Sequence, residues 1–361
     1  MEFVEIKDKE QWNSFIMNNS ETDILQSWQW GEAKRIEGWE PYRFLLSKNK
    51  FQNLNAKFQI FIAGQVLVKS IKYFGKVAYI PHGPFWSAEC RKSSAELVAL
   101  LILFREKFTK WAKEQDIFVV EIEPKIDVED SMKIEIFKKA GFKISGRNVQ
   151  PKYKLFLDIS KSEDEIFAGM KKNTRYNIRY AQKHGVDEKS YSLDDPDISN
   201  VIDRFYELVI DMQKRAKGYP VRPKKYFEYF VEKFKDSGNI KIFEVSYKKE
   251  VIAMNISEFT NVWASSFYAG SNRLHTKLKA SYLLRWASIQ EAKKRGCKVY
   301  DFWGIVPDSK QHKGYSDNKL SFGGERVDFV GIWTYPINRL KSSIYELILK
   351  LGRLYLSLKW K

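Results

Sequence analysis

Hydrophobic and polar positions recur with two different periods along the chain, and the changes of period predict its elements. Over residues 94–113, Leu97, Leu101, Phe104, Phe108 and Trp111 recur at helical spacing. Residues 117–122 form an unbroken apolar run that stops at Glu123-Pro124, which predicts a buried strand. Upstream, residues 26–35 read as a helix, residues 42–46 as a strand, residues 58–69 as a strand or a pair of strands, and residues 77–80 as a strand. The last of these stops at the turn Pro81-His82-Gly83-Pro84. A short helix is predicted over 134–140, closed by Gly141.

The second half repeats part of this order. Residues 240–245, 251–259 and 262–268 read as strands, with Gly270 as the break after the third. Residues 280–295 place Leu283, Leu284, Ile289 and Ala292 on one helical face, with Gly296 just past the end. Residues 298–302 follow as a strand carrying Asp301. In both halves a helix leads through a turn to a strand bearing an acid, which predicts two copies of one α/β acyltransferase-like unit. Between the halves, residues 162–184 read as one helix opened by a Ser162/Glu165 capping box, and residues 199–214 as another. Residues 338–358 carry Leu340, Ile344, Leu347, Ile348, Leu351, Leu354, Tyr355 and Leu358, the stripe of an amphipathic helix.

Length fits this picture, since 361 residues favour two domains. The expected domains are 1–150 with 335–361, and 151–334. A hydrophobic content of 44% supplies enough core to make disorder a poor description of the chain. No apolar run is long enough to span a bilayer. The opening Met1-Glu2-Phe3 lacks the basic and apolar regions of a signal peptide, so the expected location is the cytosol. Cys90 and Cys297 lie far apart and the four histidines are dispersed, so neither a disulfide framework nor a metal site is expected.

The net charge of +17 changes the picture more. It points to a polyanionic partner such as RNA, nucleotide phosphates or an anionic membrane, although a solvated lysine-rich surface gives the same number. The charge has a focus. Lys172, Arg175, Arg179 and Lys183 form one stripe at helical spacing, flanked by Lys171 and His184 and interleaved with Tyr176 and Tyr180. Such a stripe suits a phosphate backbone, and an exposed helix face has the same pattern. Arg222-Pro223, with Tyr226 one turn on, puts an arginine at a helix entrance where it can grip a diphosphate. Lys319, just before Phe322-Gly323-Gly324, is a candidate for oxyanion stabilisation beside a backbone that lets a ligand approach; a hairpin turn is the plainer reading. There is no Gly-x-Ser-x-Gly elbow, no Cys/His motif and no P-loop. An acyl donor that arrives already activated fits these absences, and no cofactor is expected.

These stretches together resemble the FemABX family of tRNA-dependent aminoacyltransferases that build peptidoglycan cross-bridges. The matching pieces are Leu25-Gln26-Ser27-Trp28-Gln29-Trp30-Gly31 with Lys34 and Trp39, then Tyr79 to Pro84. They continue with Lys172 to Arg175 leading to Gly185-Val186, Arg222-Pro223 with Tyr226, and Tyr268 to Ser271. The last are residues 280–301 and Lys319 to Gly324. The resemblance covers nearly the whole chain. It implies an α/β (α+β) fold of two acetyltransferase-like (GNAT-like) domains with a cleft between them. The short interval from Lys214 to Tyr226 implies the compact form without a coiled-coil arm.

The implied reaction moves an amino acid from aminoacyl-tRNA to the stem-peptide amine of UDP-MurNAc-pentapeptide or lipid II. Lys34, Arg222, Tyr226 and Tyr268 match the residues that hold the diphosphate and sugar. Lys319 matches the lysine at the reacting ester, and the stripe from Lys172 to Lys183 would meet tRNA. The chain departs from the family in four places. Asn318 replaces a phenylalanine, Phe118 a tyrosine and Glu123 an aspartate, and His82 stands where another basic residue is usual. Glu123 remains a candidate to orient or deprotonate the amine. The last helix, with Lys341, Lys350, Arg353, Lys359 and Lys361 beside its apolar stripe, either packs on its own domain or lies on the inner membrane surface. The rivals are an acyl-CoA-dependent N-acyltransferase, which would want a glycine-rich turn before a helix, and a non-catalytic RNA-binding protein.

Overall fold

The structure is a computed structural model that describes residues 1–17, 19–48, 60–87, 90, 92–215, 220–307 and 313–359, with side chains through Arg353 in the last helix. Contacts divide the chain into two units, Met1–Gln150 with Val330–Lys361, and Pro151–Phe329. The second stretch of the first unit thus begins ahead of the expected residue 335.

The first unit opens with β1 (Glu2–Glu5), α1 (Lys9–Met17) and α2 (Trp28–Ala33). Three strands follow, β2 (Glu40–Ser47), β3 (Ile60–Ile71) and β4 (Gly75–Pro81), then the two-residue β5 (Phe85–Trp86). Next come α3 (Ser94–Glu114) and β6 (Ile117–Glu123), then α4 (Ser131–Lys139) and β7 (Lys143–Ile144). A capping box between Ser93 and Glu96 starts α3, and Leu97, Leu101, Phe104, Phe108 and Ala112 bury its inner face. That helix is the crossover of a βαβ unit, because β4 and β6 pair in parallel. Every residue of β6 is buried, as its unbroken apolar run requires of a central strand.

The second unit holds β8 (Tyr153–Asp158), α5 (Glu163–Gly169), α6 (Lys172–Lys183), β9 (Val186–Ser192), α7 (Ile198–Arg215) and α8 (Lys224–Phe234). It continues through β10 (Ile240–Tyr247), β11 (Glu250–Phe259), β12 (Trp263–Ser271) and α9 (Ala280–Lys294). It ends with β13 (Val299–Gly304), α10 (Lys313–Leu320) and β14 (Glu325–Asp328). Its sheet runs β14-β8-β13-β12-β11-β10-β9. Here too one pair is parallel, β12 with β13, and α9 is the crossover. The chain then returns to the first sheet through β15 (Trp333–Pro336) and ends in α11 (Arg339–Lys359). The first sheet therefore runs β1-β2-β3-β4-β6-β15-β7, with β5 on β3. Each unit has its own core, one around Phe44, Leu101, Phe104 and Trp333, the other around Ile178, Leu283, Tyr300 and Phe322.

Three local expectations change. The single helix over 162–184 is two helices, because Met170 is extended and sinks into the core. Gly270 does not end its strand. It sits inside β12, where a Cβ would lie 2.9 Å from the Leu208 Cβ of α7, so glycine is what lets helix and sheet approach. Gly324 likewise serves chain packing, since a Cβ there would stand 2.5 Å from the Phe156 carbonyl oxygen. Residues 216–223 between α7 and α8 leave no room for a coiled-coil arm.

Candidate functional site

In the second unit, Lys319 lies in the last turn of α10, and the hairpin reading fails. It is 1% exposed. Its Nζ donates to the Gly304 carbonyl at 2.7 Å and to the Tyr315 hydroxyl. Burial pushes its pKa well below the usual lysine value, with the Arg285 and Lys154 charges adding to the effect against Asp301. The Gly304 carbonyl and the Tyr315 hydroxyl thus hold two of the three donors of the charged amine.

The Gly304 carbonyl owes its position to an irregularity in β13. The β13–β8 register shifts between Asp301 and Gly304, and Trp303 adopts φ 62°. A bulky side chain in the left-handed region is strained, and such strain persists only where the surroundings enforce it. Asp301 does so, accepting from the Trp303 N–H at 2.6 Å and from Lys154 Nζ at 2.8 Å. The Lys154 ammonium also sits 3.9 Å from the Trp303 ring centre. Lys154 escaped the sequence reading. A lysine inside the apolar run Tyr153–Leu157 is the signal that could have exposed it, with Asp301 as its complement in the neighbouring strand.

The segment after Lys319 also carries the basic helix. The Ser321 carbonyl accepts from the Lys171 N–H and the Thr174 hydroxyl, each at 3.0 Å. This contact starts α6 and accounts for the break from α5. Thr174, Ile178 and Ala181 face the core, so the opposite face presents Lys172, Tyr176, Arg179 and Lys183. Arg179 and Tyr176 are exposed, and Arg179 also covers the Phe167 ring at 4.9 Å. Arg175 leaves the stripe. Its guanidinium donates to the Ala168 carbonyl at 2.8 Å and to the Met170 carbonyl, closing the end of α5.

Pro223 caps α8, as its fixed φ favours at a helix start. The Arg222 guanidinium lies 4.2 Å from the Tyr226 ring centre, and the Tyr226 and Tyr268 hydroxyls are 2.8 Å apart. Tyr226 is 1% exposed, so it supports Tyr268, which keeps partial exposure. Burial raises the Tyr226 pKa well above its usual value, with Tyr268 adding and Arg222 opposing, so the phenol stays a neutral donor.

The first unit holds the remaining candidates. Glu123 ends β6 and is 3% exposed. It accepts from the Tyr79 hydroxyl at 2.5 Å and from the N–H groups of Val149 and Gln150 at 3.0 and 3.1 Å. Burial still prevails over these donors and raises its pKa to about 7. Lys34 is largely buried, in an ion pair with Glu37 and 5.1 Å from the Trp30 ring centre. Phe118 is core. It packs with Phe74 and Tyr345 at 1% exposure, which takes it out of reach of a substrate.

The tryptophan-rich opening motif builds a frame rather than a surface. Gln26 accepts from the Gln65 N–H at 2.6 Å and donates to the Pro81 carbonyl. Arg43 donates to Gln65 at 2.9 Å and Glu32 at 3.0 Å, beneath the Trp28 ring. A Cβ on Gly31 would fall 2.2 Å from Gln65 Oε1, so only glycine fits there. His82 is buried in the same region with Nδ1 2.5 Å from Asp23. Among the described residues no cluster of histidine, cysteine and acid side chains can hold a metal ion.

Two sheets, each with one crossover helix between parallel strands, make this a tandem α/β fold. The fold matches a tandem GNAT protein from clavulanic acid biosynthesis at TM-score 0.52 and 12% identity, covering 93% of this chain and 98% of that one. It matches the crystal structure of FemX more closely, at TM-score 0.81 and 17% identity over 96% of this chain and 100% of that one. The sequence matches the FemAB family over residues 8–260 and 246–350, and the chain belongs to that family. Similar proteins include the lipid II:glycine glycyltransferase of Staphylococcus haemolyticus (strain JCSC1435), 25% identical over 71% of this chain and 58% of that protein. The protein of the same name from Staphylococcus aureus (strain MRSA252) is 26% identical over 73% of this chain and 60% of its own length. The matched region thus spans less than two thirds of each of these relatives.

Proposed function

We propose that this chain moves an amino acid from aminoacyl-tRNA to the stem-peptide amine of a peptidoglycan precursor, in cross-bridge synthesis. The observation that carries the reading is the buried amine of Lys319, on the same segment that starts the basic helix α6. Family membership supports the reaction class. The names of the staphylococcal relatives favour lipid II over a UDP-linked acceptor and make glycine the first amino acid to try. A lipid-linked acceptor sets the work at the cytoplasmic face of the membrane.

In this reading the acceptor amine attacks the ester carbonyl at the 3′ end of tRNA. A C–N bond forms, the C–O bond to the ribose breaks, and the amine proton ends on the released hydroxyl. An ester is already activated, so positioning and charge stabilisation supply most of the acceleration. Lys319 Nζ, held by the Gly304 carbonyl and Tyr315, donates to the oxyanion. Arg222 and Tyr268 hold the diphosphate and sugar, with Tyr226 as support. Lys172, Arg179 and Lys183 meet the tRNA backbone.

The test is reconstitution with purified protein, a set of charged tRNAs, and either lipid II or UDP-MurNAc-pentapeptide. An aminoacyl peptide that forms only with charged tRNA is the expected result. Transfer from acetyl-CoA without tRNA, or no product with any charged tRNA, overturns the reading.

A further inference from the structure

The terminal helix α11 is docked the wrong way round for an ordinary amphipathic helix. Such helices turn the apolar stripe to the core and the polar face to water. Here the contacts with the rest of the first unit are made by Ser342, Tyr345 and Glu346. The Ser342 hydroxyl is buried and donates to the Phe118 carbonyl at 2.9 Å. The Tyr345 ring packs on Phe118 with centres 5.3 Å apart, and Glu346 meets Thr334 at 3.4 Å. At 3.6 residues per turn, the opposite side of the cylinder carries Leu340, Ile344, Leu347, Ile348 and Leu351. Their exposures are 72, 41, 56, 49 and 56%. Isolated exposed leucines mean little, whereas a contiguous stripe of them marks an interaction surface.

We infer that this stripe is a lipid-docking surface that inserts into an anionic bilayer. Charge selects the occupant. Arg339, Lys341 and Lys350 flank the stripe, and the helix's single acid, Glu346, faces inward. The whole chain carries +17. A second copy of the chain would bring two such basic rims together, whereas an anionic headgroup layer attracts both rims and leaves the leucines in the acyl boundary. Residues 340–351 cover about 17 Å at 1.5 Å per residue, and no described helix is long and apolar enough to cross a membrane. The geometry is that of a helix lying in the interface plane. The inference goes beyond the proposed reaction and stands without it.

The experiment is co-sedimentation of the full chain with vesicles of phosphatidylglycerol and phosphatidylcholine, and with vesicles of phosphatidylcholine alone. The wild type should bind the mixed vesicles and bind the neutral ones much more weakly. Leu347→Glu with Leu351→Glu should lower the partition coefficient about 100-fold or more. Its thermal unfolding should not change, because both side chains are exposed. Arg339→Glu with Lys350→Glu should lower the coefficient about tenfold or more. Failure of the wild type to bind mixed vesicles overturns the inference. So does wild-type binding by the double leucine variant, which would mean adsorption through the basic surface alone. A solution dimer that this variant splits, without vesicle binding, assigns the stripe to a second copy and also overturns it. Transfer to detergent-solubilised lipid II or to the UDP-linked acceptor is measured in parallel, without vesicles. Its absence in the wild type counts against the proposed reaction and leaves the vesicle result untouched.

Discussion

The two units share a strand-helix-strand frame and treat its acid in opposite ways. In each, the strand after the crossover helix carries a buried carboxylate, Glu123 on β6 and Asp301 on β13. Asp301 is matched by a buried lysine at 2.8 Å. Glu123 has only a phenol and two backbone N–H groups, and its pKa rises to about 7. One desolvated acid is thus accommodated by a counter-charge and the other by a proton. The first choice fixes a strained backbone beside Lys319. The second leaves a group that changes charge near neutral pH.

The comparison can be broken most severely at Asp301. Asp301→Asn strands the Lys154 charge in the core, and unfolding free energy should fall by about 3–5 kcal/mol in chemical denaturation. A loss of equal size for Glu123→Gln would erase the distinction between the two acids. Next is Lys319→Met, which keeps the length and removes the buried amine. It should lower kcat by roughly 10²–10³-fold, the usual cost of an oxyanion donor, with stability held or raised. An active Lys319→Met enzyme would remove Lys319 from the chemistry.

The third prediction concerns pH. The folded state raises the Glu123 pKa, so folding favours its protonated form. Its contribution to stability is full below the unfolded value of about 4.3 and is lost as pH rises through about 7. Glu123→Gln lacks this dependence. Between about pH 4 and pH 8 the stability difference should move in favour of the variant by on the order of 3 kcal/mol. A flat difference would show that Glu123 does not titrate there. The smallest effects belong to α6. Lys172→Ser with Lys183→Ser should reduce the log–log salt dependence of tRNA binding by about 1–2 and leave stability within about 0.5 kcal/mol. Arg175→Ala should do the reverse, lowering stability while sparing the salt slope.

Legibility in the sequence followed the range of the interactions. The helices α3 and α9 and the strand β6 were plain because burial imposes a period on neighbouring residues. Strand β9 carries mostly exposed polar side chains at the sheet edge, so no alternation announced it. The α5–α6 break was hidden because Ser321, which causes it, lies far along the chain. Among the candidate residues, types and spacing pointed to Lys319 and the basic stripe, and the family resemblance pointed to Glu123. They could not show that Arg175 turns back to cap a helix, that Tyr226 and Phe118 are buried, or that Lys154 completes the charge balance. Each of these depends on a contact between distant strands or helices.

The return of the chain to its first sheet sets an order of events during synthesis. Strand β15 lies between β6 and β7, and it is made after the whole second unit. Until residues 333–336 leave the ribosome, β6 and β7 each show an unfilled ladder edge. The second unit, continuous in sequence, can close first. The nascent first unit must wait with an open slot at the strand that bears Glu123, where a chaperone or a stray strand would find it.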